Sequence, residues 1–397
     1  MEKKEIQNSN SLLKNDSESL YLLIIWEKSR YKTDSILNDI RKKFVIKKIY
    51  EIEWKEKEFV HNLTRIYGSK STASDKAKLF GAGPFLLIVI SDNNPKFIEQ
   101  DTFKGVDIIN TNILKSKFEY RKWIGEKFSV HGTISYKETN HNLTLLFGKN
   151  IEEYRKELPE KWNGDIERIK PKLIGSDGWK NMAHLIYALN GTSHYVILRN
   201  FEELPEKFQQ KDLDILTENT LMKYTIDFDC SLNVKEDHFF EKNIGEKNIK
   251  FDLKYSSENY FDKKWAKKII KRRVLHTNGF YIPNTEDQFY TLLYHVIYQK
   301  KVISEKYKKR LSNLAEELKL SSISYSFFND FEKSKEILDK YLKENGYCNT
   351  TSFQFKLFHN EILRLVKTSI NLAKTEGILV LFGAIKMKLY ISFFKNP

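Results

Sequence analysis

Three carboxylates, Asp212, Asp214 and Asp252, are the residues of this 397-residue chain whose types and spacing best suit bond-making chemistry. In an extended Lys211-Asp-Leu-Asp-Ile-Leu216, successive side chains point to opposite faces, so Asp212 and Asp214 share one face while Leu213 and Ile215 share the other. A later extended segment, Ile249-Lys-Phe-Asp-Leu-Lys254, puts Ile249, Phe251 and Leu253 on one side and Asp252 on the other, between Lys250 and Lys254. Three acids on one sheet face repel unless a cation sits among them, and hard divalent cations such as Mg2+ or Mn2+ prefer oxygen ligands. The pattern therefore predicts a metal-phosphate site on Asp212, Asp214 and Asp252, with Lys250 and Lys254 beside the phosphate. A second Asp-x-Asp, Asp227 and Asp229, is the rival ligand pair, and a solvated strand face is the plain alternative.

The elements around these acids come in a telling order. Met182, Leu185, Ile186 and Leu189 recur at helical spacing after Gly175-Ser-Asp-Gly-Trp179, predicting a helix to about residue 190. A strand follows at Tyr195-Val-Ile-Leu-Arg-Asn200, then a polar loop, the Asp-x-Asp strand, and the strand with the lone Asp252. This order resembles the nucleotidyltransferase fold of the polymerase beta-like superfamily. The resemblance implies a mixed sheet with helices and metal ions on Asp212, Asp214 and Asp252, one activating an acceptor hydroxyl and one holding the triphosphate. Where that family has Gly-Ser, this chain has Arg199-Asn200, so Arg199 is expected to grip a phosphate by a bidentate contact. Downstream, the basic stretch 262–273 interleaves Trp265, Ile269 and Ile270 and reads as a solvated helix face, with nucleic-acid binding as the alternative. Pro283-Asn-Thr-Glu-Asp287 opens a helix through about residue 299, which offers His295, Lys300 and Lys301 to phosphate, with a core histidine as the equal alternative for His295.

Towards the N-terminus, apolar runs and helical periodicity predict strand 20–26, helix 34–44, strand 45–54, helix 56–67, a Gly/Ser/Ala-rich loop, and strand 83–90. That order fits a ferredoxin-like α/β sandwich. Gly83-Pro84, Thr102-Phe-Lys-Gly105, Val130-His-Gly-Thr133 and a helix ending in Leu145-Leu-Phe-Gly148 resemble nucleoside diphosphate kinase over residues 20–148. The resemblance places His131 at the phosphoryl-carrying histidine and Lys104 at a phosphate-binding basic position. Trp26-Glu27-Lys28 stands where the family has Lys-Pro-Asp, and Phe128 stands near a catalytic-loop Asn. The expectation is thus a degenerate domain that binds a nucleotide or partner without transferring phosphate.

A formal net charge of +14 and a pI near 9.3 favour polyanionic partners: nucleotides, nucleic acid or an anionic membrane surface. Two cysteines, Cys230 and Cys348, exclude a disulfide framework or a cysteine metal cluster and fit a reducing cytoplasm. The first ten residues have no apolar core of the signal-peptide kind. Heavy use of Lys, Asn, Ile, Tyr and Phe suggests an AT-rich bacterial or viral genome.

The expected layout is an α+β chain: a polar tail at 1–18, the kinase-like domain at 19–150, a linker at 151–174, the nucleotidyltransferase-like domain at 175–300 and a helical region at 301–397. Helices are expected at 303–318, 329–345 and 353–374. The final apolar stretch 377–394, broken by Lys386 and Lys388, is expected to pack on that region, with peripheral membrane contact as the alternative. The favoured function is Mg2+-dependent transfer of a nucleotidyl group from an NTP to a small-molecule or sugar acceptor. The alternatives are a catalytically degenerate nucleotide-binding or regulatory protein, and a toxin-like transferase acting on protein or tRNA.

Overall fold

The structure, a computed structural model, describes residues 19–68, 70–102, 105–126, 128–208, 212–218, 221–226, 239–258 and 260–350. It is mixed α/β and falls into two compact units, one of residues 1–257 with 266–288 and the other of residues 258–265 with 289–397. Lys104, Asp227, Asp229, Cys230, the predicted helix 353–374 and the terminal apolar stretch lie outside the described residues. Among the described residues, no helix is long and apolar enough to cross a membrane.

The first sheet has strand order β6-β1-β3-β2-β7, built from β1 (Ser19–Ile25), β2 (Val45–Ile52), β3 (Phe85–Asp92), β6 (Val130–Gly132) and β7 (Ile166–Ile169). A hairpin, β4 (Phe97–Thr102) and β5 (Gly105–Asn110), branches off after β3. Pairing is antiparallel across β6-β1-β3-β2, and the crossover helices α1 (Thr33–Lys43) and α4 (Thr111–Ile124) supply apolar residues to one face. This is the ferredoxin-like arrangement that the strand and helix order predicts. Alternate residues of β1 divide between the faces: Tyr21, Leu23 and Ile25 pack with α1 and α4. Leu20, Leu22 and Ile24 pack with α2 (Glu56–Tyr67), α3 (Lys70–Phe80) and α5 (Tyr136–Phe147).

Two local expectations change. The Gly/Ser/Ala-rich loop is in fact helix α3, because Ala73, Ala77 and Phe80 recur at helical spacing and Phe80 stacks on Trp26 at 4.8 Å. The expected linker has its expected short helix, α6 (Ile151–Arg155), opened by a capping box at Asn150 and Glu153, but it also contains strand β7, which pairs in parallel with the edge strand β2.

The second sheet, order β10-β11-β9-β8, comprises β8 (Tyr195–Ile197), β9 (Leu213–Thr217), β10 (Phe239–Ile244) and β11 (Lys247–Tyr255). Helix α7 (Met182–Thr192) starts later than Gly175, at Asn181, whose side chain accepts a bond from His184 N–H. Met182, Leu185, Ile186 and Leu189 then pack with Leu213, Ile215, Phe251 and Leu253 in one core. Helix α8 (Leu221–Ile226) adds Met222 and Ile226 to it. Helices α5 and α7 meet through Gly191, His141 and Asn140, which makes both sheets parts of one unit.

Helix α9 (Lys263–Lys271) buries Trp265, Ala266, Ile269 and Ile270 and exposes lysines, as a solvated basic face should. The motif at Pro283 opens α10 (Thr285–Tyr294), where Asn284 accepts from Asp287 N–H and Asp287 with Glu286 grips Arg272. A π-helix over His295–Lys300 follows. In the second unit, α11 (Glu305–Glu317) and α12 (Phe331–Glu344) match the two predicted helices, and Tyr290 stacks on Tyr341 at 3.5 Å.

Candidate active site

The site is set by strand register. β9 and β11 run parallel with Asp214 directly beside Asp252, and β8 runs antiparallel on the far side of β9. Leu213, Ile215, Phe251 and Leu253 face the core, so alternation sends Asp214, Asp252 and Lys254 to the opposite face. Lys254 Nζ lies 3.1 Å from Asp214 Oδ1 and in contact with Asp252 Oδ2. Arg199 Nη2 lies 2.5 Å from the same Asp214 oxygen. Asp214 and Lys254 are only 3% and 4% exposed, so these are buried ion pairs. Burial in such a place is tolerable only because each charge meets its opposite.

Arg199 reaches Asp214 because of the turn that follows it. Leu198 N–H donates to Asp214 C=O at 2.9 Å, keeping the end of β8 beside the start of β9, and Asn200 then takes φ 59°. That left-handed conformation is one Asn tolerates better than most side chains. Arg199-Asn200 thus makes a sharp turn at the end of β8.

The expected residues are only partly gathered. Asp214, Asp252, Lys254 and Arg199 come together, with Asn200 next in the chain. Asp212 stands half-buried just before β9, and among the described residues no three His, Cys, Asp or Glu side chains form a metal-holding group. Lys250 is exposed on the same strand as Asp252, and Lys300 ends the π-helix of the second unit. His295 there is buried and bonds Gln299 at 2.6 Å.

Burial pushes the Asp252 carboxyl above the usual carboxylate range; the Lys254 ammonium opposes the shift and the nearby Asp214 charge adds to it. Two carboxylates already converging on one cationic atom are a donor set suited to Mg2+, which commonly takes one or two carboxylates and completes its shell with water and substrate phosphates. The residues therefore fit the expected ion as a two-carboxylate site.

His131 belongs to a separate cluster. It sits on β6 opposite Ile24, buried, with Nε2 3.9 Å from Glu138 Oε1 and 3.5 Å from the Asn142 amide. The Tyr67 ring meets it edge-on at 5.1 Å, and Lys76 lies 3.2 Å over that ring. Arg121 Nε and Lys117 Nζ donate to the β6 carbonyls of Val130 and Gly132. Tyr67, Glu138, Asn142 and Arg121 escaped the sequence analysis, since they come from three different helices. Lys254 as a bridge had a visible signal: it lies two residues beyond Asp252 on the same strand face.

No family model, curated protein or solved structure matches the chain.

Proposed function

We propose that this protein transfers a nucleotidyl group from an NTP to a hydroxyl or phosphate of a small-molecule or sugar acceptor, in a reducing cytoplasm. The observation that carries the proposal is the pairing of Asp214 with Asp252 on neighbouring parallel strands, flanked by the antiparallel β8 and preceded by α7. Asp214 and Asp252, joined by Asp212, would hold Mg2+ or Mn2+. A bound ion of this kind polarises the α-phosphoryl group and offsets charge on the departing pyrophosphate.

In the transfer, an acceptor oxygen bonds to the α-phosphorus, the bond to the β-phosphate oxygen breaks, and pyrophosphate leaves with that electron pair. The acceptor's proton goes to a carboxylate. Asp252 suits that role as the more accessible of the two paired acids. Arg199 and Lys254 supply fixed positive charge next to these acids, where a triphosphate would bring its own negative charge.

The same ion pairs favour a second reading, a nucleotide-binding or regulatory protein without catalysis, since Arg199 and Lys254 already match the charge of Asp214 and Asp252. One experiment separates the two. The protein is incubated with each NTP, Mg2+ and a bacterial metabolite extract, and products are searched by mass spectrometry for added nucleotidyl mass. Products that vanish with Asp252→Asn support transfer. Tight NTP binding without products supports the second reading, and neither result sinks both.

A further inference from the structure

We infer that the Lys254 ammonium is the resident cation of the Asp214 and Asp252 pair, and that a divalent ion enters the site by displacing it. The inference rests on the proposed role of the two carboxylates as metal ligands. Lys254 Nζ bridges oxygens from both acids, 3.1 Å from Asp214 and in contact with Asp252. It occupies the place where the two carboxylates converge, so an ion contacting both acids and the bridging ammonium exclude each other. Charge adds to the exclusion, because a divalent ion placed beside the Lys254 ammonium would meet like-charge repulsion at short range.

The two cations differ in how easily they leave. Arg199 is held at the end of β8 by the Asn200 turn, and its rigid guanidinium lies against Asp214. Lys254 carries a compact charge on a flexible four-carbon stem. Its displaced ammonium needs an anion, and a triphosphate brings one. Free ion is therefore expected to bind weakly, and ion with NTP more tightly, because the phosphates take over the charge that Lys254 surrenders. Lys254 is thus a positioning and gating residue that couples occupancy of the carboxylates to arrival of the nucleotide.

The test measures Mn2+ binding by electron paramagnetic resonance, without nucleotide, on the full chain and on Lys254→Met. Removing the competing charge should tighten Mn2+ binding by at least about tenfold, the scale expected when a buried charge pair loses one partner. Asp252→Asn in the Lys254→Met background should abolish the gain. Unchanged or weaker binding in Lys254→Met, or no binding at all, overturns the inference. A second measurement uses the unmutated protein and decides the matter should Lys254→Met not fold. Reductive methylation read by mass spectrometry should spare Lys254 in metal-free protein and label it at saturating Mn2+ without nucleotide, where the displaced ammonium has no phosphate to pair with. Continued protection under those conditions also overturns it. Nucleotidylated products from a protein whose Lys254 stays protected at saturating Mn2+ would sink the exchange alone, whereas a Mn2+ gain without products would leave the exchange standing and remove the transferase reading.

Discussion

Arg199 and Asp214 are joined by a buried 2.5 Å ion pair across the antiparallel strands β8 and β9, and Lys254 meets the same carboxylate oxygen from β11. Asp214 is therefore the hub of the site, and the three acids should differ in what they do for stability. Asp214→Asn leaves two buried cations without their shared partner and should cost roughly 3–5 kcal/mol. Asp252→Asn frees Lys254 from one of its two acids and should cost less. Asp212→Asn, in a half-buried position ahead of β9, should fall within about 0.5 kcal/mol of wild type. Urea denaturation of the three variants checks the order. A loss at Asp212 as large as at Asp214 would show that all three acids share one charge network.

His131 should not carry phosphate. Its Nε2 faces the Glu138 carboxylate at 3.9 Å and the Asn142 amide at 3.5 Å, inside the sheet edge. A phosphoryl group arriving there would meet a carboxylate, and only 6% of the residue is open to solvent. Incubation with labelled ATP should leave no acid-labile phosphohistidine. A label lost in His131→Ala would refute this, and would turn Tyr67, Arg121 and Lys76 into candidate phosphate contacts.

Much of the fold was legible wherever one periodicity ran without interruption. Helix 56–67 was predicted at the bounds it has, and β1, β2 and β3 follow from continuous or alternating apolar runs. Helix α3 was hidden by small polar residues, because its apolar stripe is only Ala73, Ala77 and Phe80 and its stability comes from packing on Trp26. Strand β7 was hidden for the opposite reason: Ile166, Glu167 and Arg168 are exposed, so it shows no buried face and depends on pairing with β2. At the site, alternation correctly put Asp214 and Asp252 on one sheet face. It says nothing of which strand lies next to which, and the charge matching by Arg199 and Lys254 depends on that neighbourhood.

Acid should weaken the fold in two steps. Burial holds His184 and His194 below the ordinary histidine value of 6.5, helped at His194 by Lys137 and Arg273 against the pull of Glu218. The folded state then binds fewer protons than the unfolded one, so stability is full above pH 6.5 and is lost as pH falls through the lowered folded values. Glu218 adds a later step. Burial pushes its carboxyl up, but the His194 hydrogen bond and Lys137 outweigh that and hold it below 4.5, so its contribution disappears as pH falls below that value. Melting temperature against pH should show both slopes. The upper one should flatten in His184→Gln/His194→Gln, and an unchanged slope between pH 6.5 and 5.5 would remove both histidines from the account.

The seam between the two sheets should be sensitive to a single methyl group. Gly191 in α7 approaches Thr144 in α5 so closely that an added Cβ would lie 2.1 Å from Thr144 Oγ1 and 2.8 Å from its Cγ2. Thr144 is fully buried and β-branched, so it has no flexible end to move aside. One helix must back away, and the contacts beside it, from Asn140 to the Gly191 carbonyl and from His141 to the Thr192 carbonyl, would stretch with it. Overpacking of this kind typically costs about 1–3 kcal/mol, even though Ala is the better helix former. Gly191→Ala should therefore lower the melting temperature, and Thr144→Ala in the same chain should recover part of the loss by removing the two atoms in the way. The double-mutant cycle reads the coupling directly. A single cooperative transition that moves as a whole in Gly191→Ala is expected if both sheets melt as one unit. Two transitions, with only the second sheet affected, would mean that α5 and α7 touch without joining their sheets energetically.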